Sequence, residues 1–135
     1  MSKPNSVTVT CGIGLSAIGG TSTADDYYVC HGQSGEWRLA AAYFCPALAV
    51  TANGTNYVTM MLSQGFEGTE TDIATAMTTA TVDMTVGTVR EFTMSENTSR
   101  VFGPTDVLMV DVDEAGTFSA NLEGTVVLRF EQERA

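Results

Sequence analysis

Apolar and polar residues alternate with a period of two along several short stretches of this chain. The clearest alternation lies near the end, where Val126, Leu128 and Phe130 share one parity and the residues between them share the other. A period of two places successive side chains on opposite faces of a β-strand. The pattern therefore predicts a strand over Gly124–Glu131 with three apolar side chains on one face.

Similar stretches recur about every 8–12 residues, separated by turn signals such as Asn53-Gly54 and the cluster His31–Gly35. No segment of helical length shows a clean 3.6-residue period, which disfavours a parallel α/β sheet. We predict an all-β fold, an antiparallel jelly roll or β-sandwich of about eight strands with an N-terminal arm. The predicted strands are Val7–Cys11, Asp26–Cys30, Glu36–Cys45, Asn56–Gln64, Thr81–Val86, Thr88–Met94, Asp106–Asp113 and Gly124–Glu131.

Strict alternation in Glu36–Cys45 would give one face the side chains of Trp37, Leu39, Ala41, Tyr43 and Cys45.

The segment Thr71–Thr81 fits a short helix or an excursion loop as well as a strand, because Ile73 and Met77 are four residues apart. The segments Thr81–Val86 and Thr88–Met94 flank one glycine and would form paired strands or one bulged strand.

The first 24 residues are small and polar, with four glycines between Gly12 and Gly20. We divide the chain into residues 1–24, an N-terminal arm or edge strand, and residues 25–135, the β-sandwich domain. We expect an arm, because this segment has little apolar mass to hold it on its own domain, and we expect the domain to fold without it. The alternative is that Val7–Cys11 pairs as an ordinary edge strand.

The charge of the chain limits the kinds of partner that it can bind. Charged residues make up 16% of the chain, and the net charge is −10. Such a charge repels phosphate backbones and anionic lipid, so we expect no nucleic-acid partner and no membrane partner. The chain has no run of about 18 apolar residues and no signal-peptide pattern.

The densest group of carboxylates is Asp111, Asp113 and Glu114. Asp111 and Asp113 would share a strand face about 7 Å apart. Paired carboxylates could hold Ca²⁺ or hydrolyse a glycoside. We favour a solvated strand end that protects a sheet edge. We therefore predict no metal site, no cofactor and no catalytic residue, so that the protein is not an enzyme.

The single histidine and the three cysteines offer little chemistry. Cys30 and His31 are neighbours that would point to opposite faces of a strand, whereas a structural zinc site usually needs four ligands. We expect a turn histidine. Because the number of cysteines is odd and no CxxC occurs, we expect Cys11, Cys30 and Cys45 to be buried free thiols.

Five aromatic side chains could stack on a sugar or a base, although packing in the core and between sheets is the interpretation we favour. They are Tyr27, Tyr28, Trp37, Tyr43 and Tyr57.

The order of segments resembles that of small phage virion proteins. The strand–turn–strand of Gly35–Val50 and Asn53–Leu62 is similar to their first half, and Phe102–Asp111 with Gly124–Glu131 is similar to their second half. The resemblance is one of pattern and covers about residues 26–131. It points to a tailed-phage capsid decoration (cement) protein of the small jelly-roll type; the three cysteines depart from that pattern.

The resemblance implies a structural protein on the outer capsid surface of the virion, which binds the major capsid protein and stabilises the shell. It also implies a homotrimer, with residues 1–24 as an anchoring arm. The alternative is a fibre or receptor-binding module that binds glycans. That alternative predicts exposed aromatic residues beside Asp or Asn in a groove, whereas a decoration protein predicts a flat base.

Overall fold

The computed structural model describes residues 5–15, 17–18, 21–22, 25–95, 100–116 and 121–133, and within them the chain forms twelve β-strands and no α-helix. No helix in these residues is long and apolar enough to cross a membrane. The strands are β1 Ser6–Leu15, β2 Ala17–Ile18, β3 Thr21–Ser22, β4 Asp25–Val29, β5 Trp37–Pro46, β6 Tyr57–Gln64, β7 Thr71–Asp72, β8 Met77–Thr78, β9 Arg90–Glu91, β10 Val101–Phe102, β11 Leu108–Ala115 and β12 Leu122–Gln132.

Ten of these strands form two antiparallel sheets. One, which we call the β12 sheet, has the order β1-β12-β5-β10, with β9 also paired to β5. The other, the β11 sheet, has the order β4-β11-β6-β7, with β8 also paired to β6. The short strands β2 and β3 pair with each other. The all-β prediction is confirmed.

The pairing follows the winding of a jelly roll. The first main strand pairs with the last (β1 with β12), and the second with the last but one (β4 with β11). Further in, β5 pairs with β10, and β6 pairs with β7. The chain is thus one long antiparallel ribbon rolled into two facing sheets, the eight-strand architecture that viral capsid and lectin domains share.

The core lies between the two sheets. Val126, Leu128 and Phe130 of β12 are fully buried in it, as their parity predicted. Val110 and Val112 of β11 are buried in the same core. Each such side chain contributes roughly 1.5–3 kcal/mol relative to remaining in water, so the inner faces of β11 and β12 supply much of the stability.

The predicted face of β5 is wrong in its second half. Arg129 pairs with Ala41 whereas Phe130 pairs with Leu39, so Ala40 is an extra residue in the strand, a β-bulge. Because a bulge adds one residue, every later side chain in the strand points to the opposite face from the one that strict alternation predicts. Trp37 and Leu39 therefore share one face as predicted, and that face meets the core. Beyond the bulge the core-facing residues are Ala42 and Phe44, so Ala41, Tyr43 and Cys45 do not share the face of Leu39.

Residues 65–95, all of which the structure describes, contain no helix. Ile73 and Met77 are both buried, but β7 and β8 are separate two-residue strands along β6. The prediction that Thr81–Val86 and Thr88–Met94 form paired strands or one bulged strand is wrong. Met84 instead pairs with Val50, and β9 pairs with β5. The two segments therefore pair with Val50 and with β5, both of which contribute residues to the core, rather than with each other.

Residues 6–15 belong to the sandwich rather than to an arm. Strand β1 pairs with β12 over ten residues, and Ile13 is buried in the core. The Tyr27 hydroxyl of β4 donates to the Gly14 carbonyl (3.0 Å), and the Gly14 amide donates to the same hydroxyl (3.3 Å). The edges of the two sheets are thereby joined. Residues 1–4, 16, 19–20 and 23–24, which the predicted arm also includes, lie outside the described residues.

Candidate binding site on the outer face of the β11 sheet

Alternation along β4 and β11 directs a set of side chains away from the core. On β4, Tyr27 packs against the core, so its neighbours Asp26 and Tyr28 face outward. The register of the sheet pairs Asp26 with Asp111 and Tyr28 with Met109 on β11. The outer face therefore carries an acidic pair beside an aromatic residue.

The loop between β6 and β7, residues 65–70, reaches over this face. It begins where the Gly65 amide donates to the Val107 carbonyl (2.9 Å). Gly65 and Gly68 have φ values of 115° and 94°, in the left-handed region that favours glycine. At Gly65 a Cβ would also lie 3.2 Å from the Glu70 Cα atom. Glycines thus allow the chain to turn back over the sheet.

This turn places Phe66 against Tyr28. The two ring centroids are 5.3 Å apart with an interplanar angle of 43°. Both rings remain open to solvent, with Tyr28 45% exposed and Phe66 58% exposed. We call these two residues the aromatic pair. A large exposed aromatic surface of this kind is typical of contact sites, because covering it releases water.

The same turn brings Glu67 to the acidic pair. Asp26, Glu67 and Asp111 each offer a carboxylate oxygen, and these oxygens all lie within 4.8 Å of one another. We call these three residues the carboxylate cluster. They come from β4, the β6–β7 loop and β11, so the cluster exists only in the folded chain.

Mutual repulsion and burial change the acidity of the cluster. The pKa of Asp111 is raised to about 7, and burial is the largest cause. A hydrogen bond with Asp26 and the negative charges of Asp113, Asp26 and Glu67 raise it further. The pKa of Glu67 is also raised, chiefly by the charge of Asp26. A carboxyl that hydrogen-bonds with another carboxylate holds a proton between them. At neutral pH the cluster is therefore a strongly negative site only partly relieved by a shared proton.

Such an arrangement attracts positive charge. Three carboxylates at this spacing could contribute to the oxygen shell of a hard cation such as Ca²⁺, which takes six to eight oxygen ligands. A lysine or arginine side chain would be attracted equally, and the neighbouring rings would favour it further through their π faces. The absence of a specific metal site and of catalysis remains a prediction.

The predicted acidic group is divided between the two faces of the sheet. Asp111 and Asp113 alternate with the buried Val110 and Val112, so they share the outer face as predicted. Glu114 has the parity of the inner face, and its Oε2 atom is buried with no hydrogen-bond partner among the residues that the structure describes. Asp111 meets Asp26 and Glu67 across the sheet instead of acting with Glu114.

His31 is a structural residue rather than a ligand. It is buried, its Nδ1 atom accepts a hydrogen bond from the Gln33 amide (3.0 Å), and its Nε2 atom lies 3.0 Å from the Phe102 carbonyl. Nε2 therefore carries the proton. The ring packs edge-on against Phe130, with centroids 5.6 Å apart. Both nitrogens are occupied, which fits the predicted turn histidine.

The three cysteines are free, as predicted, but their burial differs from the prediction. Cys11 and Cys45 are partly buried, and burial raises the pKa of the Cys11 thiol. Cys30 is exposed, because it follows the last residue of β4 on the same parity as the outward-facing Tyr28.

Two of the other aromatic candidates, Tyr27 and Trp37, pack and bond within the fold, and Tyr43 and Tyr57 are partly buried. Trp37 is buried, with its indole N–H donating to the Ser34 carbonyl (2.9 Å). Sequence reasoning included Tyr28 among five candidates, for which it favoured packing within the fold, and it missed Phe66 and Glu67. The available signal was the segment Gly65–Gly68, whose two glycines bracket them directly after a strand.

Comparisons with known proteins add little to this description. No protein-family model matches the chain, and no curated protein matches it. Among solved structures it is similar to a chain from Desmodium yellow mottle tymovirus, with 10% sequence identity and a TM-score of 0.33. The alignment covers 100% of this chain and 93% of that one. A likeness at that score carries no argument about function.

Proposed function

We propose that this protein is a structural virion protein that binds the outside of a phage capsid as a homotrimer and stabilises the shell. The pattern resemblance described above and the jelly-roll winding support the proposal, since viral capsid domains commonly have this architecture. The observation that carries it is the aromatic pair beside the carboxylate cluster on the outer face of the β11 sheet. Exposed aromatic side chains of this kind are enriched at protein-contact sites.

The contact would be made by basic side chains of the major capsid protein. A guanidinium placed over Tyr28 and Phe66 gains a cation–π interaction, and it can hydrogen-bond to Asp26 or Glu67 at the same time. A buried aromatic anchor surrounded by polar groups is typical of the residues that dominate binding energy. Because the protein would bind only the assembled shell, it would stabilise the shell by mass action.

Binding to shells from which the protein has been stripped tests this proposal. The double substitution Tyr28→Ser with Phe66→Ser should weaken binding about tenfold or more, because it removes the apolar anchor. Glu67→Gln should weaken binding mainly at low salt, since its charge is exposed. The control is Arg129→Gln, an exposed charge on the outer face of the β12 sheet. If the aromatic variant binds as tightly as the control, this surface is not the contact.

Glycan binding is a second candidate, and a specific observation favours it. The alternative predicted exposed aromatic residues beside Asp or Asn in a groove. The first part of this pattern is present, since Tyr28 and Phe66 lie beside Asp26. Lectin domains also use the jelly roll. A glycan array with the native protein tests the candidate. Recognition of a defined sugar, lost in Tyr28→Ser with Phe66→Ser, would support it, and absence of any binding would exclude glycans on the array.

A further inference from the structure

The connection between β8 and β9 exposes three valine side chains. Val82 is 47% exposed, Val86 57% and Val89 53%. Valine is among the residues most often buried in proteins, so three exposed copies within eight residues form an unusual surface. We call residues 79–89 the valine loop.

The valine loop is anchored to the rest of the fold. Met84 at its centre is buried, and its amide and carbonyl both pair with Val50 (2.8 and 2.9 Å). The Asn53 amide donates to the Thr79 carbonyl at the start of the loop (3.1 Å). Leu48, two residues before Val50, is another exposed apolar side chain. The exposed valines therefore belong to a backbone fixed at several points, which lowers the entropy cost of a contact.

Charge indicates which partner fits this surface. Asp83 is the one charged residue among residues 79–89, although the chain has 16 acidic residues. The Asp83 Oδ1 atom accepts a hydrogen bond from the Ala52 amide (2.6 Å). Two copies that each carry a net charge of −10 repel each other, and they repel least where the facing surfaces carry few charges. A cationic partner would instead be attracted to the carboxylate cluster.

We propose that the valine loop is the surface through which one copy of this chain contacts another. Packing Val86 and Val89 against a neighbouring copy removes their apolar side chains from water while bringing few carboxylates together. The inference rests on the homotrimer of the proposed function and names its contact surface. The aromatic pair lies elsewhere, on β4 and the β6–β7 loop, so loss of self-association and loss of capsid binding can be measured separately.

Light scattering of the native chain over a range of concentrations tests this proposal. The wild type should have a mass well above the 14.3 kDa of one chain, namely that of three chains if it is the proposed trimer. The variant Val86→Thr with Val89→Thr should fall to the mass of one chain at the same concentration, because threonine keeps the branched shape but replaces a methyl with a hydroxyl. The control, Thr8→Ser with Thr10→Ser on exposed positions of β1, should keep the wild-type mass.

The dependence of the wild-type mass on salt concentration tests the same proposal without any substitution. Raising the ionic strength screens the repulsion between like-charged copies, so it should increase the wild-type mass at low concentration. The proposal is overturned if the wild type is a single chain at every concentration and salt level, or if the valine variant keeps the wild-type mass. Circular dichroism of both variants checks that the sandwich remains folded.

Discussion

At the scale of single residues, the direction of a side chain within its strand could be predicted from the sequence, whereas contacts between distant residues could not. The inward parity of Val126, Leu128 and Phe130 could be predicted from the sequence, because alternation along one strand is a local property. The meeting of Asp26 with Asp111 and Glu67 could not be predicted. It depends on the register between β4 and β11, and on a loop that turns back over the sheet, and neither is encoded in nearby residues.

The raised pKa of Asp111 makes stability depend on pH. Its folded pKa of about 7 is above the ordinary value of 3.8, so between these values the native state binds more protons than the unfolded state. The free energy of unfolding should therefore fall as pH rises from about 4 to 7, by roughly 1–2 kcal/mol after allowance for solvent screening. Denaturant unfolding at several pH values measures this slope.

Asp111→Asn should remove most of that slope and should be more stable than the wild type at pH 8, because an amide carries no charge into the cluster. Glu123→Gln, an exposed acid on β12, is the matched control and should keep the wild-type slope. If Asp111→Asn and the wild type have parallel pH profiles, the described coupling within the carboxylate cluster is wrong.

Two glycines that lie on neighbouring strands should respond differently to alanine. A Cβ on Gly124 would lie 2.5 Å from both the Cys45 carbonyl oxygen and the Phe44 ring, whereas a Cβ on Gly14 meets nothing within 4 Å. Gly124→Ala should lower the free energy of unfolding by about 1–3 kcal/mol through overpacking. Gly14→Ala should leave it within about 0.5 kcal/mol. Equal effects of the two substitutions on thermal unfolding would contradict the packing around β5 and β12.

At the scale of elements, sequence reasoning found most long strands and failed where pairing decides the outcome. The bulge at Ala40 follows from how β5 meets β12, so alternation within β5 alone could not show it. The valine-rich segment after Met77 has strand-forming composition, but burial of Met84 against Val50 fixes it as a loop. The composition of a segment gives its tendency to form a strand, but the neighbouring strands and loops available for pairing decide which conformation it adopts.

The role of β1 gives a prediction at this scale. A chain that begins at Asp25 lacks the strand that pairs with β12 over ten residues, and it lacks the buried Ile13. We expect it to lose cooperative thermal unfolding or to melt far below the full chain, because the β12 edge and part of the core would be exposed. This expectation replaces the earlier one that residues 25–135 fold alone. Cooperative unfolding at the wild-type temperature would contradict it.

At the scale of the whole molecule, two exposed surfaces have different chemistry. The aromatic pair with the carboxylate cluster suits a basic partner, whereas the valine loop suits a nearly uncharged one. A net charge of −10 suppresses unspecific contacts elsewhere between copies. The two proposals assign one surface to each contact, the first to the capsid protein and the second to another copy of the chain.

A density map of the native particle that carries this protein tests the central claim most directly. The account predicts density for the jelly roll on the outside of the shell, with Tyr28 and Phe66 against basic side chains of the capsid protein. Density with that face turned to solvent would contradict the proposed contact. A particle that contains no copy of the protein on its shell would contradict the proposed function itself.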